Sequence, residues 1–586
     1  MIRERPAKPP TRKALIREYA RGHLVGTLFG KYSRSWGRDE KIVEAIAAAH
    51  NSGSINILSI VTDEAMSSVQ KHDFFSGQNL YCEVIPKLQA DVGEMVNAVD
   101  CLIRAAGNDM AGGLPGNALA RWCEADTAHS AEILRLVNDG HPVARSFIPL
   151  ALGNAAPNIR EGLLGHLHAM ANAVGGPVRC NAIFGLGQAS PRDDSEWAAM
   201  LHTLQAGATC ADDVIQAATI AAAALRLRAG AGPFAEQLEG IIETAIESGR
   251  GERLLHQSAD SLWLDGEHFS DHLQEKMLRA LSAVNPANIG TINQLDQALA
   301  NLIRHGKAAQ VADFLAELLP GHNGAIKLKQ FDSTAHAVRE QPPDVLHDWV
   351  VSWLLDGRFE LCRHLAGGLF EGQMHECALE IDFSGHGLRP DDYAYLARKA
   401  IGYLFLQPLT VASIIVSLAR SAPREKQQEL EDLLFDPMLL NYGGFAKDFL
   451  EPLSKRKGER ARKLAQNALR RIRSYLADLN AAHAITELRP SERQRQIEWQ
   501  RHSDMMAEAY RLADQKSVFA DIFTKVVVLY GNRSISYVRH PKQETRRIES
   551  QMHPHGVSME VPRIEFVDPV GLQKMLLSFR SERRPA

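Results

Sequence analysis

The sequence predicts an all-α protein, an α-solenoid followed by a small C-terminal α+β module made of a helix and a β-hairpin. Aromatic residues make up only 6% of the 586 residues, whereas Ala and Leu, which favour helices, are abundant. A segment in the middle of the chain repeats, and one stretch near the C-terminus is rich in β-branched residues. A single hydrophobic core stops growing at about 250–300 residues, so we expect several units or a repeat array.

Charge divides the chain into three regions. Residues 1–41 carry 11 Lys and Arg against 4 Asp and Glu, residues 451–586 carry 26 against 16, and the remainder carries 29 against 50. We therefore expect a basic N-terminal arm over residues 1–41, an acidic helical-repeat solenoid over 42–452, and a basic C-terminal helix and β-hairpin module over 453–586. The basic ends either attract acidic partners or dock on the acidic middle.

Cysteine spacing and hydropathy favour a cytoplasmic protein. The seven cysteines form no C-x-x-C pair and no regular pattern, which favours buried reduced thiols over disulfides or a zinc site. The basic stretch Met1–Lys13 has no apolar core that could act as a secretion signal. Ile401–Ala419 is uncharged over 19 residues but contains Pro408, which breaks a helix. We expect a buried helix pair there and no membrane partner.

The middle of the chain contains two similar segments. The first runs from Pro142 to Gly153 and the second from Pro177 to Gly187. Each opens with a proline that suits the first turn of a helix and closes with a glycine that suits a turn or a tight helix contact. A weaker third copy starts near Asp213. A period of this size is typical of stacked helical hairpins, because each hairpin buries its apolar face only against its neighbours.

The second copy resembles the HEAT repeat family. It reads Val-Arg-x-x-Ala-x-x-x-Leu-Gly over Val178–Gly187, which is similar to the inner helix of such a repeat. The resemblance extends diffusely over Asp126–Leu319 and departs from the family pattern at Asn154 and Gly207. It implies an α-solenoid fold and usually a binding role, but it identifies no ligand.

The C-terminal part begins with a predicted basic helix over Lys455–Arg473. Leu464, Ala465, Ala468, Leu469, Ile472 and Leu476 form its predicted apolar face. The basic surface is a solvated face, a contact surface for nucleic-acid phosphates, or a docking face for an acidic protein. The candidate contact residues for nucleic acid or an acidic partner are Arg456, Arg460, Lys463, Arg470, Arg471 and Arg473.

Two β-branched runs follow this helix. Val526–Tyr530 and Ile535–Val538 flank a Gly-Asn turn, a pattern that predicts a β-hairpin. Ser558–Val567 is expected to form a further extended stretch, and Lys542–Gly556 a polar loop between the strands. The chain then closes with a predicted helix over Leu572–Phe579 and a basic tail.

No catalytic, cofactor-binding or metal-binding motif is recognisable. The sequence lacks H-E-x-x-H, G-x-S-x-G and the dinucleotide fingerprint, and His166 and His168 are expected on different faces of a helix. The first functional hypothesis is therefore a non-catalytic scaffold or adaptor that binds protein partners in a multi-protein assembly. The alternatives are a nucleic-acid-binding component of a bacterial antiviral defence system that uses the basic C-terminal helix, and an enzyme with an unrecognised site.

Overall fold

The computed structural model describes most of the chain and divides it into two compact units. The described residues are 11–32, 40–107, 110–173, 176–369, 378–515, 523–529, 533–540, 543–551 and 562–585. Unit 1 spans Met1–Pro342 and unit 2 spans Pro343–Ala586. This division falls at a different place from the boundaries after residues 41 and 452, which the charge distribution predicts. The three charge-based regions stay a prediction.

Unit 1 is helical throughout its described part. Its helices are α1 (Arg12–Ala20), α2 (Leu24–Gly26), α3 (Glu40–Asn51), α4 (Asp63–Ser68), α5 (Lys71–Val84), α6 (Val92–Ala106), α7 (Leu114–Ala125), α8 (Thr127–Asn138), α9 (Ile148–Ala151), α10 (Pro157–Ala171), α11 (Gly176–Gln188), α12 (Asp194–Ala208), α13 (Asp213–Arg228), α14 (Ala235–Ser248), α15 (Glu252–Asp265), α16 (Asp271–Leu281), α17 (Ile289–Arg304), α18 (Ala308–Gly321) and α19 (Asp332–Glu340).

Alternate helices of unit 1 pack on one another as two layers. In one layer α11 packs on α13, α13 on α15, α15 on α17 and α17 on α19. In the other layer α12 packs on α14, α14 on α16 and α16 on α18. Each hairpin thus buries its apolar faces against the next hairpin along the chain. The prediction of a helical repeat fold is confirmed at this level.

The predicted role of a glycine in tight helix packing is visible between α11 and α13. A Cβ atom at Gly187 would lie 2.5 Å from the Cα of Ala222 and 2.9 Å from its carbonyl oxygen. No side chain fits there unless the two helices move apart. Gly187 therefore sets how closely these helices approach.

The first predicted repeat copy forms less helix than the sequence pattern indicates. Ala144–Phe147 is a 3-10 turn, and only Ile148–Ala151 is α-helical. The copy includes Pro149, whose ring would clash with a carbonyl oxygen of the preceding turn in a continuous helix. The second and third copies form the full helices α11 and α13.

Unit 2 contains ten α-helices and three strands in its described part. They are α20 (Pro343–Asp356), α21 (Phe359–His364), α22 (Pro390–Leu404), α23 (Pro408–Ser421), α24 (Gln427–Leu433), α25 (Gly443–Lys455), α26 (Arg462–Ala484), α27 (Glu492–Gln515), β1 (Phe523–Leu529), β2 (Arg533–His540), β3 (Gln543–Gln551), α28 (Ile564–Val567) and α29 (Pro569–Ser581).

The uncharged stretch Ile401–Ala419 forms the predicted buried helix pair. α22 ends at Leu404 and α23 begins at Pro408. The hydroxyl oxygens of Ser413 and Ser417 accept hydrogen bonds from the backbone N–H groups of Leu379, at 2.8 Å, and Ile381, at 3.1 Å. These two serines therefore provide hydrogen-bond acceptors for the backbone of a neighbouring segment. Among the described residues, no helix has the length and hydropathy needed to cross a membrane.

The strands of unit 2 form one antiparallel sheet in the order β1–β2–β3. In its register Val527 lies opposite Ile535, and Ile535 lies opposite Glu549. β3 occupies residues that the sequence predicted as a polar loop, because its backbone pairs with β2. The predicted extended stretch Ser558–Val567 lies partly outside the described residues, and its last part is the helix α28. An extended conformation is therefore wrong for Ile564–Val567.

Candidate interaction surfaces

The six predicted contact residues do not lie on one helix. Gly458 adopts a φ of +81° between α25 and α26, and α26 begins only at Arg462. Arg456 and Arg460 therefore lie in the connection, and the prediction of one continuous helix from Lys455 is wrong. α25 already ends at Lys455, since Arg456 is extended, and the left-handed conformation at position 458 suits a glycine because it has no Cβ to clash with the backbone. The candidates on α26 are Lys463, Arg470, Arg471 and Arg473.

Two of the six predicted contact residues are engaged within unit 2. Arg471 Nη1 lies 2.7 Å from a carboxylate oxygen of Asp432 and 3.4 Å from one of Glu431, and its guanidinium group lies 4.2 Å from the centre of the Phe435 ring. Arg473 pairs with Glu451 at 3.5 Å. These arginines fix α26 against the preceding helices and have less freedom to meet a partner.

The other four, Arg456, Arg460, Lys463 and Arg470, are exposed. None of them forms an ion pair with another described residue. The charges of Arg456 and Arg460 still act on nearby carboxylates. The pKa of Glu459 is lowered mainly by its hydrogen bond with Arg420 and to a smaller extent by Arg456, and that of Asp382 mainly by the backbone N–H of Ser384 and to a smaller extent by Arg460. The structure thus separates the predicted set into two arginines that fix α26 and four cations that face solvent.

The apolar face of α26 is confirmed over its first three turns. Leu464, Ala465, Ala468, Leu469 and Ile472 are buried, as the spacing predicts. Leu476 follows Leu469 and Ile472 at helical spacing and so shares this face, but it is 47% exposed, because the helix extends beyond the part that is covered. The side chains of its last turns are exposed or half-buried.

Residues 476–512 form an exposed helical segment, which we call the arm. It consists of the end of α26, a short 3-10 turn and most of α27. All its side chains except Ala482 are exposed. Trp499 and Tyr510 are each 70% exposed. The large apolar side chains of the arm are Leu476, Leu479, Ile485, Leu488, Ile497, Trp499, Met505, Met506, Tyr510 and Leu512.

Sequence reasoning missed the arm as a surface. Trp499, Met506 and Tyr510 are separated by seven and four residues and share one face of α27. Ile497, Met505 and Leu512 follow a different face. Periodicity identifies such faces but does not tell whether a face is covered. One signal could have revealed the arm: large apolar residues lie on two faces of a strongly charged helix, so at least one of these faces is exposed.

The segment 476–562, which contains the arm, starts and ends at neighbouring points of unit 2. Nη1 of Arg563, which precedes α28, donates a hydrogen bond of 2.7 Å to the hydroxyl of Tyr475 in α26, and the guanidinium lies 5.5 Å from the Tyr475 ring centre. The backbone N–H of Ile564 donates to Asn441 Oδ1 at 2.7 Å. The chain is therefore held at Arg563 directly beside Tyr475, the residue of α26 that precedes the arm.

The predicted basic tail is bound along α22. Lys399 Nζ donates to the carbonyl oxygen of Arg580 at 2.7 Å, and Arg398 pairs with Glu582 at 2.7 Å. Arg584 donates two hydrogen bonds of 2.8 Å to the fully buried Asp392. The Arg584 guanidinium holds the pKa of Asp392 well below its usual range, and burial lowers the pKa of Lys399.

A groove of about 510 Å³ between α10 and α12 is a weaker candidate site. Its buried Arg160 already donates to Glu196 at 2.9 and 3.0 Å and to the carbonyl oxygens of Leu152 and Ser190. The guanidinium therefore uses four of its five N–H donors within unit 1, which leaves little capacity for a ligand.

The two histidines of the H-x-H sequence bond different neighbours. His166 bonds Asn138 at 2.8 Å, and His168 bonds Thr203 at 3.0 Å. This agrees with the prediction that they point to different faces. The described residues contain no group of three His, Cys, Asp or Glu that could hold a metal ion.

Comparisons with known proteins add little to this description. No protein-family model matches the chain, and no curated protein matches it. One similar solved structure is described as a circular tandem repeat protein with novel repeat topology and enhanced subunit contact surfaces. It is 12% identical, and the match covers 80% of this chain and 96% of that chain with a TM-score of 0.15. At that TM-score the likeness carries no argument, so the helical-repeat fold rests on the packing of α11–α19.

Proposed function

We propose that this chain is a non-catalytic α-solenoid scaffold that binds a protein partner in a multi-protein assembly, with the arm as its binding surface. The observation that carries the proposal is the exposure of ten large apolar side chains along residues 476–512. Neighbouring exposed apolar side chains often mark a surface that meets another molecule, and Trp499, Met506 and Tyr510 share one face of α27.

The chemistry of the arm suits a protein interface. Trp and Tyr are over-represented among the residues that dominate binding energy, and Met adapts to irregular surfaces. These three residue types lie together on one face of α27, as Trp499, Met506 and Tyr510. An isolated helix is marginally stable in water, because most helical stability in proteins comes from packing. A partner that covers this face would therefore stabilise the arm as well as bind it.

The two-layer stack of unit 1 supports the scaffold part of the proposal. Its helices are held by neighbour-to-neighbour packing, the arrangement that helical-repeat proteins use to present extended surfaces. We infer that the repeats are of the HEAT type, since the motif Val178–Gly187 falls on α11, in the layer formed by α11, α13, α15, α17 and α19. Unit 1 would then supply a rigid frame from which a second component is recruited.

The proposal is tested with two matched triple variants. In the arm variant, Trp499, Met506 and Tyr510 are changed to Gln. In the control variant, three similarly exposed apolar residues of unit 1, Val178, Phe184 and Leu264, are changed to Gln. Partners are identified by cross-linking the tagged chain in its native host, then purified, and their affinities are measured by calorimetry.

We expect the arm variant to weaken partner binding on the order of 100-fold, since two or more interface anchors are lost. The control variant should bind as the unmodified chain does. Loss of binding in the control alone would place the interface on the repeat stack and contradict the proposal. A dimer by light scattering that the arm variant converts to a monomer would show that the arm binds a second copy instead.

A further inference from the structure

The connection between α25 and α26 and the start of α26 carry a dense set of cations, which we call the basic surface. All seven members are exposed. Arg462 and Arg470, which bound its helical part, are about 12 Å apart along the helix axis. Its members are Lys455, Arg456, Lys457, Arg460, Arg462, Lys463 and Arg470.

Nearby acidic residues do not neutralise the basic surface. Glu459 is the one acidic residue between Lys455 and Arg470, and both its carboxylate oxygens are bound by Arg420, at 3.0 and 3.1 Å. Glu431 and Asp432 pair with Arg471, and Glu451 pairs with Arg473. Asp382, which lies in the field of Arg460, offsets at most one of the seven charges.

The N-terminus of α26 adds to the positive potential. α26 is 23 residues long, and its N-cap residue Ala461 provides no side chain to accept hydrogen bonds from the first turn. The Glu459 carboxylate accepts the backbone N–H of Ala461 at 3.1 Å but is also paired with Arg420, so it offsets the partial positive charge of this helix N-terminus only in part.

The basic surface has no exposed apolar residue. Leu464, Ala465, Ala468 and Leu469 lie in the same stretch and are all buried. A lipid surface is bound most firmly when basic residues accompany an apolar anchor, and protein interfaces have apolar or aromatic cores. Single-stranded nucleic acid is usually held by stacking on aromatic side chains, and the stretch has none. Duplex phosphates require only cations and backbone N–H groups.

We propose that the basic surface binds the phosphate backbone of double-stranded nucleic acid without reading its sequence. A duplex carries one negative charge for about every 1.7 Å of its axis, so several phosphates come within reach of this surface at once. The four unpaired cations Arg456, Arg460, Lys463 and Arg470 form its centre. The inference is independent of the arm, whose three test substitutions lie outside the basic surface.

The test uses the full chain and a fluorescein-labelled 20-base-pair DNA duplex of arbitrary sequence. Affinity is measured by anisotropy from 50 to 300 mM KCl. The basic variant changes Arg456, Arg460, Lys463 and Arg470 to Gln. The control variant changes Arg253, Arg279, Arg304 and Lys329 to Gln, which removes the same number of exposed charges from unit 1. Circular dichroism checks that both variants keep the helical content of the unmodified chain.

We expect log affinity to fall linearly with log salt, and the basic variant to bind on the order of 100-fold more weakly at 100 mM KCl. Its salt slope should be smaller by about 3 to 4, since each lost phosphate contact removes about 0.9 from the slope. A second duplex of different sequence should bind equally. The control variant should keep most of the affinity and the slope.

Three results would overturn the inference. The first is no binding at 50 mM KCl, and the second is equal loss in the basic and control variants, which would indicate an effect of net charge alone. The third is stronger binding of poly-glutamate or of vesicles containing phosphatidylserine than of the duplex, which would assign the surface to an acidic protein or a lipid.

Discussion

At the scale of single residues, Asp392 shows how unit 2 holds a buried charge. The side chain is fully buried in α22, yet its two oxygens accept hydrogen bonds from the Arg584 guanidinium and a further one from the backbone N–H of Arg389. A buried carboxylate left without such donors would carry a desolvation penalty of several kcal/mol. The tail that contains Arg584 is thus tied to the core of unit 2 by charge.

We predict that Arg584→Gln lowers the free energy of unfolding of unit 2 by about 2 kcal/mol at neutral pH, because Asp392 loses its main partner and Arg584 is itself partly exposed. The low native pKa of Asp392 makes this contribution present above the unfolded pKa of about 3.9. It is lost as pH falls through the native pKa. The difference between the variant and the unmodified chain should therefore shrink below about pH 4 in urea titrations.

The control for this prediction is Arg583→Gln. Arg583 is exposed and forms no ion pair with another described residue, so we expect a change within about 0.5 kcal/mol. Equal destabilisation by both substitutions would show that the net charge of the tail matters and that the contact with Asp392 does not.

At the scale of helices, the close approach of α11 and α13 depends on a residue without a side chain. A Cβ at Gly187 would meet backbone atoms of Ala222, which have no rotamer to change. The sequence predicted a tight contact or a turn at Gly187, because this glycine is the last residue of the second repeat copy. The structure shows that the contact joins consecutive repeats.

We predict that Gly187→Ala lowers the free energy of unfolding of unit 1 by about 1–3 kcal/mol, the usual cost of overpacking a tight contact. Gly165→Ala is the matched control, since Gly165 also lies inside a helix but a Cβ placed there would have no atom within 4 Å. That change should be neutral or stabilising by up to about 1 kcal/mol, because Ala favours helix. Thermal melts that rank the two variants in the opposite order would disprove the packing explanation.

At the scale of the whole molecule, local signals predicted the helices better than the surfaces. Pro408 and the period of apolar residues located α23, and the Pro-to-Gly repeat located α11. The start of α26 was missed because the left-handed turn at Gly458 interrupts a run whose apolar spacing continues. The bound tail and the exposed arm depend on residues far apart in the chain, and one sequence carries no direct signal of such contacts.

We predict that residues 480–561, which contain most of the arm and the three strands, are separable from the rest of unit 2. Replacing them with a six-residue Gly-Ser linker keeps Tyr475 and Arg563, whose contact joins the two ends. We expect the shortened chain to melt within a few degrees of the full chain and to lose partner binding, as assayed by circular dichroism and calorimetry. Aggregation or a loss of cooperative unfolding would show instead that the arm supports the rest of the unit.

The contact between Tyr475 and Arg563 has a consequence for how this protein can diverge. Because both ends of the intervening segment are fixed at one place, a change of length in its connections leaves this contact in place and changes the entropy of closing a loop. Doubling the length of a flexible loop costs only about 0.6 kcal/mol. Related chains can therefore carry longer, shorter or different segments here while the packed helices of each unit keep their sequence constraints, and the choice of partner can change faster than the fold.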